Sequence, residues 1–380
     1  MIYFADFAWL GGDRVSRDVA IEVQDGRIAS VRAGAERAGT HLRGVTLPGL
    51  ANAHSHAFQR ALRGRTQRGG GSFWTWREDM YALARTMTPD RCFELAKGAY
   101  AEMLQAGITT VGEFDYLHFS DALIAAAREV GIRLTLLDAC YLAGGFGEPP
   151  NEAQGRFSDG DAERWAERVA QIKGAKVGAA IHSVRAVPPD QLATVVEFAH
   201  GRPLHFHVAE QRAENEACLA ATGRTPVQLL AEHGALGPDS TAVHATHTED
   251  DLGETTICMC PTTERDLADG IGNAGPRLAL GSDSHAIIDL FEEARAVELN
   301  LRLKTERRGH FTAAQLLAGA TNHACLGWDD AGRIAPGFRA DLITLDLQSP
   351  RLELADEETM LESIVFAATA ADVTHTLVGC

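Results

Sequence analysis

The sequence predicts an α/β chain: a distorted (β/α)8 TIM barrel with a small discontinuous β-sandwich domain drawn from the two chain ends. Three observations carry that reading. Apolar strand-like runs alternate with helical stretches through the middle of the chain. The polar residues able to do chemistry sit at the ends of those runs, where a barrel of this kind builds its active site. Short strands and turns of one texture open and close the sequence.

In order, residues 1 to 48 read as IYFADFAWL, the turn GGDR, VAIEV, the turn QDGR, IASVRAG and THLRGVTL. Such pieces are too short to hold a core alone. The texture returns in GRIAPGFRADLITLDL, so residues 1–48 and 332–380 are expected to pair as the small domain around a barrel of 49–331. The barrel runs are GITTVGEF, IRLTLLDACYL, KVGAAIHSV, PLHFHVAE, STAVHATH, TICMC and RLALGSDSH. Between them lie the helical stretches PDRCFELAKGAYAEMLQAG, SDALIAAAREVG, GDAERWAERVAQIKG, PDQLATVVEFAHG and RTPVQLLAEHG. Several start at Pro or Ser/Asp and stop at Gly, as helix-end chemistry requires. One connection is too short. About a dozen residues separate His244 from the run near Ile257, barely a minimal crossover. Either the helix there is vestigial or loop residues are missing from the chain.

The 380 residues are 45% hydrophobic and 23% charged, enough for a large core and incompatible with a disordered or fibrous protein. The formal charge of −17 argues against nucleic-acid and membrane partners, because an acidic surface repels phosphate backbones and anionic lipid. Seven cysteines without CxxC spacing suit a reducing compartment, and Cys258 and Cys260 read as buried on a sheet. The N-terminus has no basic leader and no apolar run reaches about 18 residues, so a soluble cytoplasmic protein is expected.

The chemistry begins at PGLANAHSHAFQR. On a strand, residues i and i+2 point the same way, so His54 and His56 can grip one ion at the barrel mouth. Taken alone, they could be incidental surface histidines. HFHVAE follows with His205, His207 and, three residues on, Glu210, a carboxylate near a ligand for proton transfer. His244 and His247 close VHATH, and Asp283 closes LALGSDSH. Four strand ends all carrying metal-capable groups are hard to attribute to chance. Asp266, Asp269 and Asp289 read instead as loop or helix-end residues. Lys176 stands at the start of KVGAAIHSV, the wrong end to bridge two ions, so one divalent ion per chain is expected. Zinc is the default for three histidines and an aspartate, with Fe(II) or Mn(II) also suited to such a mixed site.

H-x-H after a PGL turn, a later His with Glu at i+3, a further strand-end His and the Asp of GSD resemble the amidohydrolase superfamily, in its mononuclear deaminase branch. The longer strings HSHAFQRALRG, FWTWREDMY, HSVRAV, HFHVAEQ, CPTTERDLADGIG and GSDSH are similar to the formimidoylglutamate deiminases. That resemblance implies His54, His56, His207 and Asp283 as metal ligands. It implies Glu210, His244 and Asp283 as the catalytic groups: Asp283 receives the proton of water, His244 orients or stabilises the reacting centre, and Glu210 protonates the leaving nitrogen. It implies Gln59, Arg77, Tyr116, His182 and Arg185 along a pocket for a dicarboxylate amidine. Arg binds carboxylate through two parallel hydrogen bonds, so Arg77 and Arg185 are informative in so acidic a protein. The expected reaction is deimination of N-formimidoyl-L-glutamate to N-formyl-L-glutamate and ammonia. The alternatives are deamination or dehalogenation of a heteroaromatic ring such as guanine or cytosine, and a metal-binding scaffold without catalysis. Arg60, Arg63, Arg65 and Arg68 read as a basic loop paired with acidic neighbours. Trp74 and Trp76 read as core rather than lid. The superfamily is often dimeric, which makes a homodimer the oligomer this resemblance allows.

Overall fold

One residue, Gly49, separates the two sheets of the molecule. The computed structural model describes residues 1–379. Before Gly49 run β1 (Ile2–Ala8), β2 (Ser16–Gln24), β3 (Arg27–Arg32) and β4 (Thr40–Pro48). After it come the barrel strands β5 (Leu50–Ser55), β6 (Ile108–Asp115), β7 (Arg133–Cys140), β8 (Lys176–Ile181), β9 (Leu204–Val208), β10 (Ser240–His244), β11 (Thr256–Met259) and β12 (Leu278–Leu280). The chain then returns to the first sheet with β13 (Leu342–Leu345) and β14 (Val373–Leu377). Only glycine fits at the junction: a Cβ on Gly49 would lie 2.3 Å from Thr109 Oγ1 and 2.4 Å from its Cγ2.

The small sheet has the order β14-β13-β4-β1-β2-β3, and all its pairs are antiparallel except β1 with β4. It is one six-stranded sheet uniting both chain ends through β13 on β4. Ala5, Val19, Ile21, Ile28 and Leu42 build a core of its own with Ile334 and Leu342. The segment after residue 331 is not all sheet. Its helix Met360–Ala367 lays Leu361, Ile364 and Val365 into the same core cluster as Leu316 and Leu317 of the barrel helix Ala313–Ala320.

The barrel strands are parallel in chain order from β5 to β12. Those read as near-continuous apolar runs are buried along their length, as strands covered on both faces must be. The expected helices appear at Pro89–Gln105, Ser120–Val130, Ala162–Val169, Pro189–Phe198 and Pro226–Glu232. Thr88, Asp161 and Thr225 accept a backbone N–H as N-caps, and Gly131 ends its helix with φ 84°. Between β10 and β11 no helix forms, and residues 245–255 connect them as a loop. Helices Phe73–Arg85, Arg212–Thr222 and Leu290–Thr305 went unpredicted.

Three residues past β12, Asp283 forms a single parallel bridge with Ser55 of β5, and this bridge closes the barrel. Asp283 N–H donates to His54 O at 3.0 Å, and His56 N–H donates to Asp283 O at 3.1 Å. The residues that close the cylinder are therefore those carrying the strongest sequence signal. Gly281 makes the approach possible, since a Cβ there would sit 2.8 Å from His54 Cβ and 2.9 Å from Cys260 Sγ.

Candidate active site

Two register irregularities in β5 against β6 aim the histidines: Leu50 faces Ile108 but Ala51 faces Thr110, and a second shift falls between Asn52 and Ser55. Such bulges re-aim side chains beside active sites. Below the site, Glu113 of β6 fixes the segment. Its carboxylate accepts Ser55 Oγ–H at 2.5 Å and Ala57 N–H at 2.6 Å. Ser55 Oγ also contacts His285 Nε2 at 3.0 Å, and His285 Nδ1 contacts Ser282 Oγ at 3.0 Å. Burial pushes Glu113 up to about 8 and His285 down to about 3.

Above this network four groups converge. His54 Nε2 lies 3.0 Å from His207 Nε2 and 3.4 Å from Asp283 Oδ1, and His56 Nε2 is 3.5 Å from the same oxygen. All four residues are buried. Burial and the neighbouring imidazoles hold His54, His56 and His207 well below the usual histidine range, so each is neutral with a lone pair to offer. His207 Nδ1–H donates to the His182 carbonyl at 2.7 Å, which fixes its tautomer and turns Nε2 inward. Lone pairs facing one another at these separations suit ligands about 2.0–2.2 Å from one cation. The donor set fits a divalent metal.

His244 ends β10 beside them. Its Nε2 lies 3.6 Å from Asp283 Oδ2 and 3.7 Å from Glu210 Oε1, while its Nδ1 lies 3.4 Å from Glu264 Oε1. Burial alone would lower its pKa, but Glu210, Glu264 and Asp283 raise it well above the ordinary value. Burial drives Glu210 up to about 7, reinforced by Asp283 and opposed by His244. The local backbone is strained: Ala209, His244, Ala245, Asp283 and His285 all have positive φ, from 43° to 70°. Non-glycine residues in this region cluster at functional sites, where surrounding structure over-determines them.

One cavity opens onto this cluster. Gln59, Arg77, Tyr116, His182 and Arg185 line it together with His56, His207, Glu210, His244 and Asp283, so every predicted site residue but the fully buried His54 borders one space. Gln59 Nε2–H donates to Tyr116 Oη at 3.0 Å. Arg185 Nε lies 3.4 Å from Glu214 Oε1. Arg77 stacks on Trp74 with Cζ 4.6 Å from the ring centre.

Other expectations need correction. His205 sits one layer deeper, its Nε2–H donating to Cys325 O at 2.9 Å, and takes no part in the cluster. His247 ties two loops, with Nε2 at 2.7 Å from Asp269 O. Asp289 caps the helix Leu290–Thr305 as expected, and Asp266 ends the short helix Pro261–Asp266. Asp269 is no mere loop residue: it is 4% exposed, receives Gln211 Nε2–H, and burial beside Glu210 pushes it up to about 9. Trp76, on the helix Phe73–Arg85, is partly buried against the core and also borders the cavity, while Trp74 on that helix is 37% exposed. Arg60 and Arg63 pair with Glu102, as a basic loop among acidic neighbours should. Lys176 contacts Gly327 O and lies 4.4 Å from the Trp328 ring centre, at the start of β8. Glu264 was missed; its signal is a Pro-initiated helix launched straight off the β11 strand end.

A (β/α)8 barrel with a buried histidine and aspartate cluster at its closing strands defines a hydrolase of the metal-using barrel class. The Amidohydrolase family matches residues 45–379. The chain is 37% identical to formimidoylglutamate deiminase of Pseudomonas aeruginosa, over 96% of this chain and 90% of that one. It is 31% identical to 8-oxoguanine deaminase of the same organism, over 87% and 80%. The crystal structure of an amidohydrolase from Brucella melitensis superposes with a TM-score of 0.85 at 33% identity, covering 98% of this chain and 94% of that chain. The chain belongs to the amidohydrolase family, and it is an enzyme.

Proposed function

We propose that the enzyme hydrolyses N-formimidoyl-L-glutamate to N-formyl-L-glutamate and ammonia, with one divalent ion, zinc by default, held by His54, His56, His207 and Asp283. The observation that carries this reading is the pair of guanidinium groups, Arg77 and Arg185, in the wall of the cavity that opens onto the cluster. A dicarboxylate needs fixed cations away from the reacting carbon, and a heteroaromatic base does not. The resemblance to the Pseudomonas deiminase agrees.

Bound there, the ion would supply Lewis acidity and a nucleophile from water at neutral pH. The chain supplies the proton handling. Asp283 accepts the proton of the attacking water. His244, held through Nδ1 by Glu264, presents Nε2 to the reacting centre and bears on both carboxylates. Glu210, brought near neutrality by burial, gives a proton to the departing nitrogen. One water is consumed: the amidine carbon gains a carbonyl oxygen and loses ammonia.

Ammonia release measured across formimidoylglutamate, guanine, 8-oxoguanine and cytosine tests the assignment. Turnover of formimidoylglutamate far above the ring substrates is the expected result. Faster turnover of a purine or pyrimidine overturns it.

A further inference from the structure

The cavity wall beside the two arginines holds a hydrogen-bond donor that no described residue uses. Tyr81 Oη and Tyr141 Oη lie 3.2 Å apart. Gln154 sits across from both, its Nε2 at 3.1 Å from Tyr81 Oη and 2.9 Å from Tyr141 Oη. The amide orientation is fixed, because Gln154 Oε1 accepts Asn151 N–H at 2.9 Å in the capping box of a short helix. Both amide N–H groups are therefore directed at the phenol oxygens.

The count then leaves one proton over. Two phenols bring two O–H protons, and only one of them can lie between the two oxygens. The other finds no acceptor among the described residues. Both rings are buried, at 3% and 2% exposed, where an unmade hydrogen bond is costly. Burial holds Tyr141 far above the ordinary phenol range, so it stays a donor at any working pH. Tyr81 borders the cavity and Tyr141 does not. The arrangement that strands neither proton has Tyr141 donating to Tyr81 Oη and the Tyr81 proton turned to the cavity.

Arg77 Cζ lies 5.5 Å from the Tyr81 ring centre. Arg77 Nε–H is buried without a partner, and Arg185 makes one ion pair through Nε, leaving its terminal N–H groups to the cavity. We infer that Tyr81, set by Gln154 and Tyr141, is a specificity-determining residue that donates its phenol proton to a substrate carboxylate shared with Arg185 and Arg77. This rests on the dicarboxylate reading above and adds the neutral donor to its cations. A phenol held at a fixed position demands an acceptor oxygen there, so with the two cations it favours a carboxylate over a group with no acceptor at that place.

The test uses Tyr81→Phe and Tyr141→Phe in the metal-loaded enzyme. The readouts are KM and kcat for formimidoylglutamate, and calorimetric binding of the product N-formyl-L-glutamate, which has no amidine to hydrolyse. Tyr81→Phe is expected to weaken product binding and raise KM by about 10- to 100-fold, the range for a hydrogen bond to a charged group, with kcat changed far less. Tyr141→Phe should cost much less, since the Tyr81 proton remains. Equal effects of the two variants, or an unchanged KM and product affinity in Tyr81→Phe, overturn the inference. Failure of the wild type to turn over formimidoylglutamate would overturn the substrate reading instead. Product binding that still depends on Tyr81 would then sustain the carboxylate subsite on its own.

Discussion

Replacing Arg185 with Met tests both the pocket and its support, because this guanidinium faces two ways. On one side it borders the cavity, and on the other its Nε lies 3.4 Å from Glu214, with side chains 15% and 2% exposed. Loss of the cavity side removes a charge-assisted hydrogen bond to substrate, about 1.5–3 kcal/mol, or one to two decades in kcat/KM. Loss of the other side leaves a buried carboxylate unpaired, which costs about 3–5 kcal/mol against a typical total of about 5–15 kcal/mol. The single variant should therefore be markedly less stable. Burial already raises the Glu214 pKa, and Arg185 opposes that rise. Without Arg185 the folded pKa climbs further above the unfolded one, so the folded state binds the extra proton. The stability deficit should be smallest below the ordinary carboxylate range and grow as pH rises through the folded value. Arg185→Met/Glu214→Gln removes the stranded charge and should recover much of the melting temperature without recovering kcat/KM. Turnover of formamidine, which carries no carboxylate, should hardly change in the double variant. Full activity of the double variant on formimidoylglutamate, or equal losses on both substrates, would falsify carboxylate recognition by Arg185.

Three further outcomes follow from the same geometry. Enzyme purified without added metal should contain about one equivalent of divalent ion per chain by elemental analysis; two tightly held equivalents, both required for activity, would contradict a single His54, His56, His207 and Asp283 site. Glu210→Gln should keep its metal and lose about 10²- to 10⁴-fold in kcat, whereas loss of metal would make Glu210 a ligand. Gly281→Ala should lower metal content and activity together, because the new methyl would meet His54 Cβ at 2.8 Å and His54 O at 3.0 Å; an Ala variant with full metal content would show that the closing strands can part without cost.

The converging histidines and aspartate were legible because barrel strands bury both faces, so a charged or imidazole group at the end of an apolar run stands out against its neighbours. His54, His207, His244 and Asp283 each close such a run, and the fold brings them together. Tyr116 and Gln59 were legible only through resemblance, since nothing in their spacing distinguishes them from core. Glu264 and Asp269 escaped because acidic residues in a short helix and the loop after it, between two strands, look like ordinary solvated residues. Their burial comes from contacts distant in sequence: Glu264 Oε1 lies 3.4 Å from His244 Nδ1, and Asp269 receives Gln211 Nε2–H from 58 residues away. The helix Phe73–Arg85 escaped for a related reason: Phe73, Trp76, Arg77, Met80 and Tyr81 face the cavity, so its inner stripe mixes aromatic with basic residues and does not read as one apolar face.

Closure of the barrel links fold to chemistry more tightly than the residue list suggests. β11 and β12 are only four and three residues long, and the segment after β12 meets β5 through one bridge, at Asp283. So slight a seam would be weak if it depended on ladder hydrogen bonds alone. It is reinforced by side chains: buried Asn52 Nδ2–H donates to Ser282 Oγ at 2.6 Å, Ser282 N–H donates to Asn52 Oδ1 at 3.0 Å, and half-buried Arg63 donates Nε–H to His285 O at 2.9 Å. An ion gripped by His54 and His56 on one side of the seam and by Asp283 on the other would tie the two strands directly. Ligand binding to the folded state alone adds stability by mass action. Chelation should therefore lower the melting temperature as well as abolish activity, and the amides of β5 and residues 281–285 should gain hydrogen exchange before those of β6 and β7. Exchange that rises first in the small sheet, with the seam still protected, would show that the barrel closes without help from the metal site.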